Sequence, residues 1–138
     1  MTLAELNGCT QAQFVAAVGG VVSGSPWVAE RAWRKRPFKS FDDLSTRLIQ
    51  EVQAASSDEQ LALLQSAPAL ESADLEPLLG KYRKKFGFPF VYSVQGAATT
   101  EITEALNRRL KSAPEQEFQV ALGHAFRIAR FRLEGIVR

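Results

Sequence analysis

The run from Lys81 to Gly96 restricts the fold more than any other stretch of this chain. A basic helical segment stops at Gly87, which suits the left-handed position after a helix, and Pro89 cannot continue one. Phe88, Phe90, Val91, Tyr92 and Val94 then form an apolar run too short for a helix, closed by Gly96. It is the one convincing extended run in the sequence. A single extended segment cannot build a sheet with itself, so helices must hold it from both sides. Its backbone N–H and C=O groups, without a partner strand, are then open to a ligand. The segment reads equally as a buried connector or as the wall of a binding pocket.

The rest of the chain punctuates as helices. Thr10 with Gln13 has capping-box spacing ahead of Phe14, Val15 and Val18, and Gly19-Gly20 stops that turn. Ser25-Pro26 predicts an N-cap followed by proline, opening Trp27 to Arg36, which Pro37 ends. Ser40 with Asp43 opens a segment in which Phe41, Leu44, Leu48 and Val52 recur at helical spacing. Ser56 with Glu59 repeats the cap ahead of Leu61, Leu63 and Leu64, and Pro68 breaks that helix. Ser72 or Asp74 starts a segment to Phe86 whose Pro77 and Gly80 predict an irregular first turn. Thr99 or Thr100 caps a helix carrying Ile102, Leu106 and Leu110. Ser112-Ala113-Pro114-Glu115 starts the longest one, with Phe118, Leu122, Ala125, Ala129, Leu133 and Ile136 along its apolar stripe to about residue 136. The expectation is an all-α, single-domain bundle of six to eight helices over residues 1–138, with one extended segment at about 88–95 lining a pocket.

Composition excludes several function classes. With 46% hydrophobic and 23% charged residues, 138 residues suffice for one core. The single cysteine, Cys9, excludes an intramolecular disulfide, fits a reducing compartment and argues against a cysteine-based metal site. No signal-peptide pattern and no apolar run of membrane-spanning length stand out, so a cytoplasmic protein with no membrane partner is expected. Net charge is +2, and Asp and Glu interleave with the basic clusters, as on solvated helix faces. No nucleic-acid partner is expected, because neither a basic excess nor a known motif is present.

Chemistry-bearing residues are sparse. There is no glycine-rich phosphate loop, no metal-ligand set and no nucleophile triad. His124 lies on the flank of the final stripe and reads as an exposed or half-buried side chain. Cys9 reads as a buried structural thiol, and of Trp27 and Trp33 one is expected in the core and the other partly exposed. Asp42 and Asp43 read as first-turn residues that complement a helix dipole.

Four stretches, in order along nearly the whole chain, carry a family resemblance. They are Ser25-Pro26-Trp27-Val28-Ala29-Glu30-Arg31-Ala32-Trp33 with Arg36-Pro37-Phe38, Leu63 to Leu70, Tyr82 to Val94, and Arg127 to Leu133. Together they resemble 2-oxo-4-hydroxy-4-carboxy-5-ureidoimidazoline (OHCU) decarboxylase. The resemblance implies an all-helical carbon–carbon lyase of urate breakdown that uses no cofactor or metal and releases carbon dioxide to give S-allantoin. It implies a small ureide as partner and leaves a homodimer open.

By that resemblance the substrate lies against Pro68 and against Phe90, Val91, Tyr92, Ser93 and Val94. The family's catalytic histidine falls at Ala67, so no catalytic residue carries over. The family's carboxylate-bearing loop, with its Ser/Glu/Gln motif, has no counterpart between Leu70 and Lys81, and an arginine that often follows the extended segment is Gln95. Two readings follow: a ureidoimidazoline decarboxylase with altered catalytic positions, or a non-catalytic relative that binds a ureide or another protein.

Overall fold

The computed structural model describes residues 1–22, 24–67, 73–93 and 98–137. Among them are eight α-helices, two 3-10 turns and no strand. In order these are α1 (Leu3–Gly8), α2 (Gln11–Val18) running into a 3-10 turn (Gly19–Val21), α3 (Trp27–Ala32) running into a second (Trp33–Lys35), α4 (Phe41–Gln53), α5 (Ser57–Gln65), α6 (Glu76–Phe86), α7 (Thr99–Leu110) and α8 (Pro114–Glu134). No described helix is long and apolar enough to cross a membrane.

The helix starts show which caps sequence spacing can identify. Thr10 with Gln13 and Ser56 with Glu59 form reciprocal capping boxes, and Thr2 with Glu5 makes a third. At α4 the Ser40 Oγ accepts from the Asp43 N–H, while the Asp43 carboxylate accepts from the Lys39 N–H. The other expected caps differ. Ser25 is buried, its carbonyl accepts from the Val28 N–H, and Pro26 takes the cap position of α3 without a side-chain bond. Ala98 and Ala113 stand at the caps of α7 and α8, so Thr99 is already helical and Pro114 opens α8. The irregularity expected inside α6 lies before it, as a turn at residues 73–75, with Pro77 in the first turn of the helix.

The final helix is the hub. It packs against α4, α5, α6 and the Gly19–Val21 turn. Its buried line is Glu117, Ala121, Leu122, Ala129 and Leu133, whereas Phe118, Ala125 and Ile136 of the expected stripe are half-buried. A charged residue therefore heads the line, which a search for apolar residues passes over. Gly24, at φ 66°, lets the loop before α3 press on the end of α5: a Cβ there would stand 2.6 Å from the Ser66 Cβ. The loop thus lies against Ser66, the residue before Ala67.

Two single-residue expectations are corrected. Both tryptophans are half-buried, each with an arginine over its ring, Arg31 at 4.5 Å from Trp27 and Arg36 at 4.0 Å from Trp33. Cys9 is also half-buried, its thiol directed at the Leu6 carbonyl. The Arg36-Pro37-Phe38 stretch is an anchor for the N-terminal helix. Arg36 donates to the carbonyls of Asn7, Cys9 and Trp33, and the Asn7 amide exchanges two hydrogen bonds with the Phe38 backbone.

Candidate functional site

The chain leaves α6 through Gly87 at φ 81°, the left-handed residue its position predicts. Residues 88–93 then run without regular structure. Aromatic packing holds the first half. Tyr82 sits edge-on to Phe88 and Phe90, with centroids 5.9 and 5.2 Å away, and Phe88 is edge-on to Phe118 of α8 at 6.0 Å. Phe88, Phe90 and Val91 are buried, and Tyr92 and Ser93 are half-buried.

Polar anchoring comes from three helices at once. Tyr82 of α6, Arg109 of α7 and Glu117 of α8 meet in the core, at 0%, 6% and 0% exposure. The Tyr82 hydroxyl and Arg109 Nε both donate to Glu117 Oε1, at 2.5 and 2.6 Å. Arg109 also donates from Nη1 to the Val91 carbonyl at 2.7 Å and from Nη2 to the Tyr82 oxygen at 3.4 Å. Its guanidinium lies 4.4 Å from the Phe90 ring centre. Burial and the hydrogen bond to Glu117 push the Tyr82 hydroxyl well above the ordinary phenol range, so it stays a donor. Removing either member of an ion pair taken this far from water would strand the other's charge. Among the buried side-chain polar atoms of the described residues, Glu117 Oε2 has no hydrogen-bond partner.

His124 of α8 holds the other end. The Ser93 N–H donates to His124 Nδ1 at 3.1 Å, and the Ser93 hydroxyl lies 2.8 Å from the same nitrogen. A backbone N–H can only donate, so Nδ1 carries the lone pair and the proton sits on Nε2. The ring also lies against Tyr92, with centroids 5.6 Å apart. Burial, reinforced by the Arg109 and Arg127 charges, lowers the imidazole from 6.5 to about 4, which matches the neutral tautomer.

These contacts revise the expectation of a free backbone, since the Val91 carbonyl and the Ser93 N–H are both taken. Of the residues named for substrate contact, Phe90, Val91, Tyr92 and Ser93 form one stretch beside α7 and α8, whereas Pro68, Val94 and also Gln95 lie outside the described residues. Ala67 is half-buried and lines a cavity of about 10 Å³ with Ala125, Ile128 and Arg132 of α8, the first of these following His124 directly. The described residues contain no group of three or more His, Cys, Asp or Glu side chains suited to a metal.

Sequence reasoning passed over Tyr82, Arg109 and Glu117, and their signal was positional. Arg109 follows Leu106 by three residues and Glu117 precedes Ala121 by four, which places both charges on apolar faces. His124 is half-buried, as its flank position predicts, and its partnership with Ser93 could not be read from spacing.

Comparison with known proteins agrees with this architecture. The OHCU decarboxylase family pattern matches residues 7–77 and 69–134. A uric acid degradation bifunctional protein of Bacillus sp. (strain TB-90) is 36% identical over 163 aligned positions, covering 100% of this chain and 32% of that protein. The 2-oxo-4-hydroxy-4-carboxy-5-ureidoimidazoline decarboxylase of Halalkalicoccus jeotgali is 35% identical, covering 97% of this chain and 90% of its own length. The mouse decarboxylase of the same name is 26% identical over 99% of this chain. A crystal structure of (S)-allantoin synthase superposes with a TM-score of 0.87 at 32% identity, covering 99% of this chain and 54% of that one. The chain thus spans about a third of the bifunctional protein and about half of the allantoin synthase chain. Fold, order of elements and sequence agree over almost all of its length: the chain belongs to the OHCU decarboxylase family.

Proposed function

We propose that this chain binds the ureidoimidazoline that its relatives are named for, against residues 90–93, and decarboxylates it slowly toward S-allantoin. The observation that carries this reading is the anchoring of that short segment by α6, α7 and α8 in a chain of this family. Phe90 and Val91 turn their side chains into the core, so the half-buried Tyr92 and Ser93 offer the surface a ligand meets. Pro68 and Val94 complete the substrate wall in this reading.

Slowness follows from chemistry. Loss of carbon dioxide leaves an electron pair on carbon, and a positioned acid and oriented polar groups normally handle it. Ala67 stands where the resemblance puts the catalytic histidine, and a methyl group transfers no proton. By the resemblance the family's carboxylate-bearing loop has no counterpart between Leu70 and Lys81, and the Bacillus relative aligns over 163 positions against the 138 residues here. Ala67 is also the observation that favours the second reading, a ureide-binding or protein-binding relative without turnover.

The deciding assay makes the unstable substrate in situ from urate and follows optically active allantoin by circular dichroism, with a no-protein control. Losing a general acid removes about 10²–10⁴ in rate, so turnover should fall at least that far below a relative that keeps the histidine. Ala67→His alone should not restore it, because the partner carboxylate is absent. A rate matching the full-motif relative would overturn the slow reading, and a rate equal to the control would leave the binding module.

A further inference from the structure

The imidazole of His124 is placed for a task that its packing does not exhaust. Its Nδ1 accepts from the Ser93 N–H with the Ser93 hydroxyl beside it, its face lies against Tyr92, and the proton is thereby directed to Nε2. That N–H has no partner among the described residues, and the side chain is half-buried.

We propose that His124 is a catalytic residue of this chain, its neutral Nε2–H donating a hydrogen bond to the ligand heteroatom that takes up negative charge as carbon dioxide leaves. The inference rests on the decarboxylase reading given above. In the step, the bond between the ring carbon and the carboxyl carbon breaks and its electron pair moves into the conjugated ureidoimidazoline. Nε2–H stabilises the atom that receives the charge, and solvent supplies the proton that replaces the carboxyl. His124 keeps its own proton throughout. A neutral imidazole acting as an electrophile in this way requires its protonated form to be suppressed. Burial does this first, helped by Arg109 from α7 and Arg127 from α8, while Tyr92 and Ser93 face the ring from the extended segment. The ligand class is a planar ureide with a charge-accepting oxygen or nitrogen at the Ser93 end of the segment.

The test compares the full chain with His124→Leu and His124→Gln in the circular-dichroism assay, with helical content checked for each variant. Imidazole ¹⁵N spectra of the unsubstituted protein are recorded in parallel, with allantoin added as the probe. Removing one such donor costs about 10²–10³ in rate, so His124→Leu should fall that far or to the no-protein control, and His124→Gln, which keeps an N–H donor, should fall less. If the protein is active and His124→Leu is unchanged, the inference fails and the decarboxylase reading stands. If the unsubstituted protein is no faster than the control, that reading fails, and the spectra decide the contact by themselves. A protonated Nε2 that shifts on adding allantoin supports His124 as a ligand donor; an Nε2 that does not respond, or a proton on Nδ1, overturns it.

Discussion

Val91 and Ser93, two residues apart in the segment after Gly87, are held in opposite ways. At Val91 the anchor is a closed ring of Tyr82, Arg109 and Glu117, buried and almost fully saturated. At Ser93 the anchor is one half-buried imidazole with a ring N–H still unpartnered among the described residues. The difference is electrostatic. Breaking a guanidinium–carboxylate pair away from water leaves an uncompensated charge, whereas a neutral ring can keep one polar atom free at modest cost. The saturated end fixes position, and the open end is where recognition can occur.

That contrast can be broken most directly at the closed end. Glu117→Ala strands the Arg109 charge in the core and should cost about 3–5 kcal/mol in urea unfolding. Leu133→Ala on the same helix supplies the apolar yardstick, at about 2–5 kcal/mol for a buried leucine. A loss below about 1 kcal/mol for Glu117→Ala, the level typical of exposed sites, would show that the ring is not an anchor. Tyr82→Phe removes one donor but leaves the ion pair, so it should cost about 1–3 kcal/mol.

The open end should respond less, and in a pH-dependent manner. Folding lowers the His124 imidazole from 6.5 to about 4, so between those values the unfolded chain binds more protons than the folded one. Stability from this group is therefore fully present above about pH 6.5, declines as the pH falls toward about 4, and changes no further below that. Urea midpoints at about pH 7 and about pH 5 should differ more for the unsubstituted protein than for His124→Gln. Equal differences would mean the ring is not held neutral. The smallest effect is expected for Ser93→Ala, about 1 kcal/mol or less, because the backbone N–H still donates to Nδ1.

Much of the fold was legible because its signals are local. The Thr10 and Ser56 caps, the left-handed Gly87 and the proline opening α8 each act within a few residues, through a hydrogen bond or a fixed φ. The expected caps at Ser25 and at Thr99 or Thr100 did not form: Ser25 is buried, and Ala98 takes the cap of α7. The candidate site was legible in part: the segment was found, and the residues that hold it were not. Nothing in the local sequence of Tyr82, Arg109, Glu117 or His124 names a partner, and each gains its role from a residue at least eight positions away.

The sequence by itself determined the helical class, the single break of helical periodicity after Gly87 and the alanine at position 67, since composition, spacing and identity are properties of the chain alone. Tertiary structure alone decided which charges lie in the core and which face water. It also decided that the lone histidine meets Ser93, 31 residues earlier, because burial and pairing depend on what three separate helices bring to the same point.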